Sequence, residues 1–176
     1  GTAAVLSVAG SGGLSLSGSG SGAKASNTLS ATTEALISGA DVDAAGAVTV
    51  ESDNLSSVDA VVVSAALSGA FGSTGAISVA IAAAVATNIV GGATRSRILD
   101  ALVNTDANVD VLADSDAAIE AWGVAAALSV SGDGAFSVAG AAGAAEVTNT
   151  LTETVEARIA DADQASGQGV FAQTGI

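Results

Sequence analysis

A fixed step of 61 residues runs through this chain. Leu6, Leu67 and Leu128 stand that far apart, as do Asn27, Asn88 and Asn149. Ile37, Ile98 and Ile159 follow the same step, and so do Val48, Val109 and Val170. No insertion falls between these anchors, so the chain reads as one repeat domain of units 1–61, 62–122 and an incomplete 123–176. A strict period of this length is the signature of a repeat architecture, in which each unit buries its apolar surface against its neighbours.

Within the unit the periodicity is mostly two. In Gly75–Thr87 the odd positions Ile77, Val79, Ile81, Ala83 and Val85 make one face. Ala76, Ser78, Ala80, Ala82, Ala84 and Ala86 make the other. That is a strand with one branched face and one nearly bare face. Alanine alone favours helix, but the matched stretch of copy one alternates Leu14, Leu16, Gly18, Gly20 and Gly22 with serines, which a helix would not keep. A second strand precedes it at Asp59–Leu67, matched by Glu120–Leu128 and Gly1–Leu6. A Gly/Ser turn at Ser68–Thr74 joins the two.

The rest of the unit reads as shorter rungs, Thr94–Leu99 and Asn108–Leu112, matched by Thr33–Ile37 and Ala47–Val50. Gly39-Ala40-Asp41 and Ala45-Gly46 punctuate them. The expected fold class is all-β, a β-solenoid. About three rungs of roughly 20 residues per unit is the preferred arrangement from repeat logic. A single wide coil with one unit per layer is the other.

Composition excludes several functions. Four cations, Lys24, Arg95, Arg97 and Arg158, stand against 18 carboxylates, for a net charge of −14. No basic face can be assembled to displace the counterions of a nucleic acid. Cys, His, Met, Pro and Tyr are absent, so thiol, imidazole and disulfide chemistry have no residues to use. Serine has no histidine base, and no carboxylate pair is set apart by aromatics for sugar hydrolysis. Gly10-Ser11-Gly12-Gly13 lacks the lysine and the strand-to-helix context of a phosphate loop. Neither catalysis nor an organic cofactor is expected. The run Ala60–Thr94 carries no charge, and Ala76–Gly92 within it nears the lower length of a membrane span. Its matched windows carry Lys24 and Glu146, however, so no transmembrane span is expected. Such apolar strands need a cover, either other rungs or other chains.

The run Asn88-Ile89-Val90, Arg97-Ile98, Asn108-Val109-Asp110-Val111, Ile119-Glu120-Ala121 resembles the repeat regions of very large bacterial secreted and surface proteins. Asn149-Thr150-Leu151 and Val155-Glu156-Ala157-Arg158-Ile159 repeat it in copy three. Those proteins are haemagglutinin-like or autotransporter-like adhesins. The resemblance implies a β-helical stalk or filament at the cell exterior, and it brings no catalytic residues. Freedom from cysteine, an acidic balance and abundant Ser, Thr and Gly suit a secreted protein. The opening Gly1-Thr2 shows no leader and falls part-way through a unit, which suggests a piece of something larger or a subunit completed by neighbours.

Three sets of positions are candidates for special roles. Asn27, Asn88 and Asn149 are expected to satisfy backbone groups in turns or to stack as an amide ladder, rather than to bind a glycan. Glu34, Arg95 and Glu156 share one position, so in-register stacking places an arginine between two carboxylates and opposes any slip. The i, i+2 pairs Asp114/Asp116 and Asp161/Asp163, with Asp41/Asp43, are the candidate ligands for Ca²⁺, a hard cation that takes oxygen donors. They do not follow the period, and no calcium-loop motif is present. Trp122, matched by Val61, reads as packing.

Two functions of different class follow. One is a structural unit of an extracellular filament or stalk that associates with itself. The other is an adhesin segment that binds a glycan or surface ligand, with Ca²⁺ as an optional cofactor. The scarcity of aromatic and arginine anchors favours the first.

Overall fold

The computed structural model describes residues 1–133, 135–161 and 169–172. It is all-β, with parallel, stacked strands in keeping with a β-solenoid and no helix among the described residues. The first copy supplies β1 (Thr2–Ser11), β2 (Leu14–Ser38), β3 (Asp41–Ala44) and β4 (Val48–Asn54). The second supplies β5 (Ser57–Gly72), β6 (Gly75–Leu99), β7 (Leu102–Thr105) and β8 (Val109–Ser115). The third supplies β9 (Ala118–Asp133), β10 (Ser137–Ala160) and β11 (Gly169–Ala172). Three sheets of three strands run β1-β5-β9, β10-β6-β2 and β11-β7-β3, and a fourth pairs β4 with β8.

The register follows the period. Leu6 faces Leu67, Asp41 faces Leu102 and Val48 faces Val109, each pair in parallel strands. Hydrogen-bonded neighbours are therefore a whole 61-residue unit apart, not the third of a unit that short rungs require. The expectation of three rungs per unit is corrected to one unit per layer. The reason lies in the strands: β2 and β6 are each 25 residues long. With no proline to remove a ladder donor, the alternation carries through Asn88 and takes in Thr94–Leu99, which reads as a separate rung in the sequence. The turn between β5 and β6 shrinks likewise to Ser73-Thr74.

Gly39, Asp100 and Asp161 all take positive φ, at 60°, 49° and 56°. They stand one period apart and end β2, β6 and β10 with the same backbone corner. Beyond that corner copy three departs from the period. Val170 pairs with Val103, itself opposite Val42, and not with Val109. The anchor series Val48, Val109, Val170 thus holds for its first two members only. The cause is length: a two-residue link joins Ser38 to β3 and Leu99 to β7, whereas residues 162–168 separate Asp161 from β11.

Two compact units each draw one stretch from every copy: Gly1–Asn27, Val58–Asn88 and Glu120–Asn149 in the first, Thr28–Ser57, Ile89–Ile119 and Thr150–Ile176 in the second. In the first unit the nearly bare faces are the ones buried. Ala60, Val62, Ala66 and Ala70 of β5 and Ala76, Ala80, Ala82, Ala84 and Ala86 of β6 are all inside. The hydroxyls of Ser7 and Ser17 meet at 3.0 Å, those of Ser21 and Ser64 at 3.0 Å, and Ser68 bonds to Ser78. Such short side chains meet only where two sheets lie closer than the ~10 Å usual for sheets packed through larger residues. The second unit has an aliphatic core of Val50, Ile98, Ala101, Val103 and Val109. Ile37 and Ile159 pack on it, so the isoleucine series is a core column.

Candidate stacking interface

The Asn series forms a continuous ladder. Asn27 Nδ2 donates to Asn88 Oδ1 at 2.8 Å, and Asn88 Nδ2 donates to Asn149 Oδ1 at 2.9 Å. All the bonds point the same way, from copy one toward copy three. Asn88 has no exposed surface, so the ladder supplies the partners that a buried amide needs. At its two ends the side-chain oxygen of Asn27 and the amide nitrogen of Asn149 make no side-chain hydrogen bond among the described residues. The single-coil geometry is what permits this arrangement, because it puts the three equivalent positions in adjacent strands.

The charged series is arranged differently from the sequence expectation. Arg95 Nε lies 3.6 Å from Glu156, but Glu34 is taken by Arg97, whose Nε donates to it at 3.1 Å. Arg97 sits two residues beyond Arg95 on the same strand face and reaches across the ladder diagonally. The hydrogen bond to Glu34 raises the Arg97 guanidinium above its ordinary value, with the charges of Glu34 and Glu156 adding to it against some desolvation. Arg158 lies 3.8 Å from the other Glu156 oxygen. The arginine between two carboxylates is therefore replaced by one in-register pair, Arg95–Glu156, and one diagonal pair, Arg97–Glu34.

The outward faces of the first unit are apolar. On β1, β5 and β9 the Leu column is 66%, 39% and 58% exposed at Leu6, Leu67 and Leu128. The middle leucine is covered by its neighbours, while each outer one lacks a neighbour on one side. Val8, Val124, Val130 and Phe71 extend this face. Leu14 and Leu16 of β2, Val79 and Ile81 of β6, and Val138 of β10 with Phe136 just before it are likewise exposed. Trp122 belongs to the outer surface too, 62% exposed, with its indole N–H on Glu120 at 3.1 Å. It does not pack in the interior, because its strand position alternates outward.

The acidic candidates are dispersed. Asp114 faces Asp53 across the β4–β8 ladder and accepts a hydrogen bond from the Ser115 N–H at 3.0 Å. The Asp116 N–H donates to the Asn54 carbonyl at 2.8 Å. Asp161 occupies the positive-φ corner, and Asp163 lies outside the described residues. Asp41 and Asp43 belong to strand β3, where alternation sends them to the same side and Asn104 donates to Asp43 at 3.4 Å. Among the described residues no three acidic side chains gather as a cation site.

One polar cluster is not foreseen by the sequence. Ser56 donates to Asn54 Oδ1 at 2.7 Å, Asn54 Nδ2 donates to Glu153 at 3.1 Å, and Ser115 donates to the second Glu153 oxygen. The period does match Asn54 with Ser115, which was its one legible trace. Val109 and Val111 of β8 line a cleft of about 300 Å³ with Ala157, Arg158 and Ile159. No helix among the described residues is long and apolar enough to cross a membrane. Comparison with protein families, with curated proteins and with solved structures found no match to this chain.

Proposed function

We propose that the chain is a structural building unit of an extracellular filament or cell-surface stalk, assembled by β-stacking between copies. One observation carries this reading: the outermost strands are long, regular and, among the described residues, unblocked. β1 and β2 stand at one side of their sheets and β9 and β10 at the other, and the two longest run 25 and 24 residues. Natural sheets guard such edges with proline, inward charges, bulges or a covering helix, since an open edge templates pairing with another chain. This chain has no proline, and charges are sparse through residues 1–33 and 121–145. Apolar outward faces and a small-residue interior add to the tendency to associate. The acidic balance and the lack of cysteine suit an exterior location.

Negative-stain electron microscopy tests this reading directly, with Ca²⁺ and with EDTA. Uniform fibres in both conditions are the expected result. Separate short rods at every concentration would defeat it. Fibres seen only with Ca²⁺ would move the assembly contacts to the carboxylates.

A further inference from the structure

We infer that the two open ends of the first compact unit are complementary to each other, so that a second copy docks head to tail with its β1–β2 edge on the β9–β10 edge of the first, in the same 61-residue register. The inference rests on the assembly reading above and adds the partner, the polarity and the residues that meet.

The Asn ladder gives the polarity. Each amide donates toward the next copy, so Asn149 offers an N–H at one end and Asn27 a carbonyl oxygen at the other. A docked copy in register places these two groups opposite each other and extends the ladder by the same bond. The ladder also fixes the register of its strands, because Lys24 lies three residues before Asn27 and Glu146 three before Asn149. Within one chain these opposite charges are held two layers apart by Val85, and both are exposed. Across the docked ends they become nearest neighbours, ~4.8 Å apart along the ladder.

Other positions agree. Leu6 would meet Leu128 and Leu16 Val138, continuing the columns that hold Leu67 and Ile77, and Val8 would meet Val130 and Leu14 Phe136, columns whose middle members are Gly69 and Gly75. Docking the same ends on each other instead, head to head or tail to tail, makes no Lys24–Glu146 pair and turns an acceptor end of the ladder toward an acceptor end, or a donor end toward a donor end. In the second unit Glu34 would face Glu156, yet each already holds an arginine of its own chain.

The test compares the full chain with K24E, E146K and the double variant K24E/E146K by sedimentation velocity over a range of concentrations. Both positions are exposed, and circular dichroism checks that the strand content is kept. Wild type is expected to form linear oligomers. Each single variant should associate about tenfold more weakly, and the double should return close to wild type, as a swapped pair does. E146K is the informative arm: it lowers the net negative charge, so a general repulsion effect would strengthen association where loss of the pair weakens it. Singles that associate like wild type, or a double that stays weak, overturn this register while leaving assembly through another surface intact. A wild-type chain that stays monomeric overturns the assembly reading and this one with it.

Discussion

Inside the first unit most side chains carry no more than a methyl or a hydroxyl, and a buried hydroxyl is best satisfied by a partner there. Ser7 has Ser17 and Ser68 has Ser78, but Ser129, the third member of that column, is matched with Ala139 by the period, and its buried oxygen has no hydrogen bond among the described residues. Ala139→Ser should therefore stabilise the chain by about 1 kcal/mol, the net value of an added hydrogen bond. A rise in the urea midpoint at unchanged slope would show it. Asn88→Ala works in the opposite direction, because it strands the amide of Asn27 and the carbonyl of Asn149 together. The expected cost is about 2–3 kcal/mol, against about 1 for Asn149→Ala at the open end. Equal losses in the two variants would mean that the ladder carries no cooperative weight. Gly92 is bound by space: a Cβ there would lie 1.9 Å from the Ala31 carbonyl oxygen. Gly92→Ala should cost more than ~2 kcal/mol by forcing the backbones apart, whereas Gly18→Ala, with nothing within 4 Å, should stay within about 0.5.

At the scale of the strand, alternation was legible and orientation was not. Gly75–Thr87 announces a β-strand with two unlike faces, and β6 has that pattern. Hydrophobicity alone would turn Ile77, Val79 and Ile81 inward, yet the alanine face is the buried one. Paired serines and alanines let the sheets close up, and the large side chains are left outside. Serine in a sequence reads as turn or surface, which is why the Ser7–Ser17 and Ser68–Ser78 contacts gave no signal. The Asn column was legible because amides one period apart can bond only if layers and units coincide. That same requirement decides between one rung and three. The slip of Val170 was not legible, since the period fixes an expected partner and not how residues 162–168 reach it. The inverted faces make a paired prediction. Ala82→Leu should overpack the interior and cost about 1–3 kcal/mol. Ile81→Thr, on the 55% exposed face, should change stability by less than about 0.5 kcal/mol and reduce binding of a hydrophobic dye. The reverse order, with Ile81→Thr the more damaging, would mean that the branched face is the core.

For the whole molecule two tendencies oppose each other. Long unblocked edges and apolar faces draw copies together, while a net charge of −14 repels them. Repulsion between exposed like charges is screened within ~8 Å at physiological ionic strength. Association should therefore rise as salt goes from roughly 0.01 M to roughly 0.15 M, followed by light scattering at fixed protein concentration. No dependence on salt would mean that charge does not limit the contact. The repeat gives the assembly a length scale as well. Each chain contributes three stacked strands to the β1-β5-β9 and β2-β6-β10 sheets at a spacing of ~4.8 Å, so head-to-tail docking in register sets an axial rise of about 14 Å per chain. Helical reconstruction of the fibres by cryo-electron microscopy measures that rise. A value near 14 Å with the β1-β5-β9 and β2-β6-β10 ladders continued in parallel is the predicted result. A rise unrelated to three strand spacings, or fibres in which copies meet through their apolar faces with the edges left open, would contradict it.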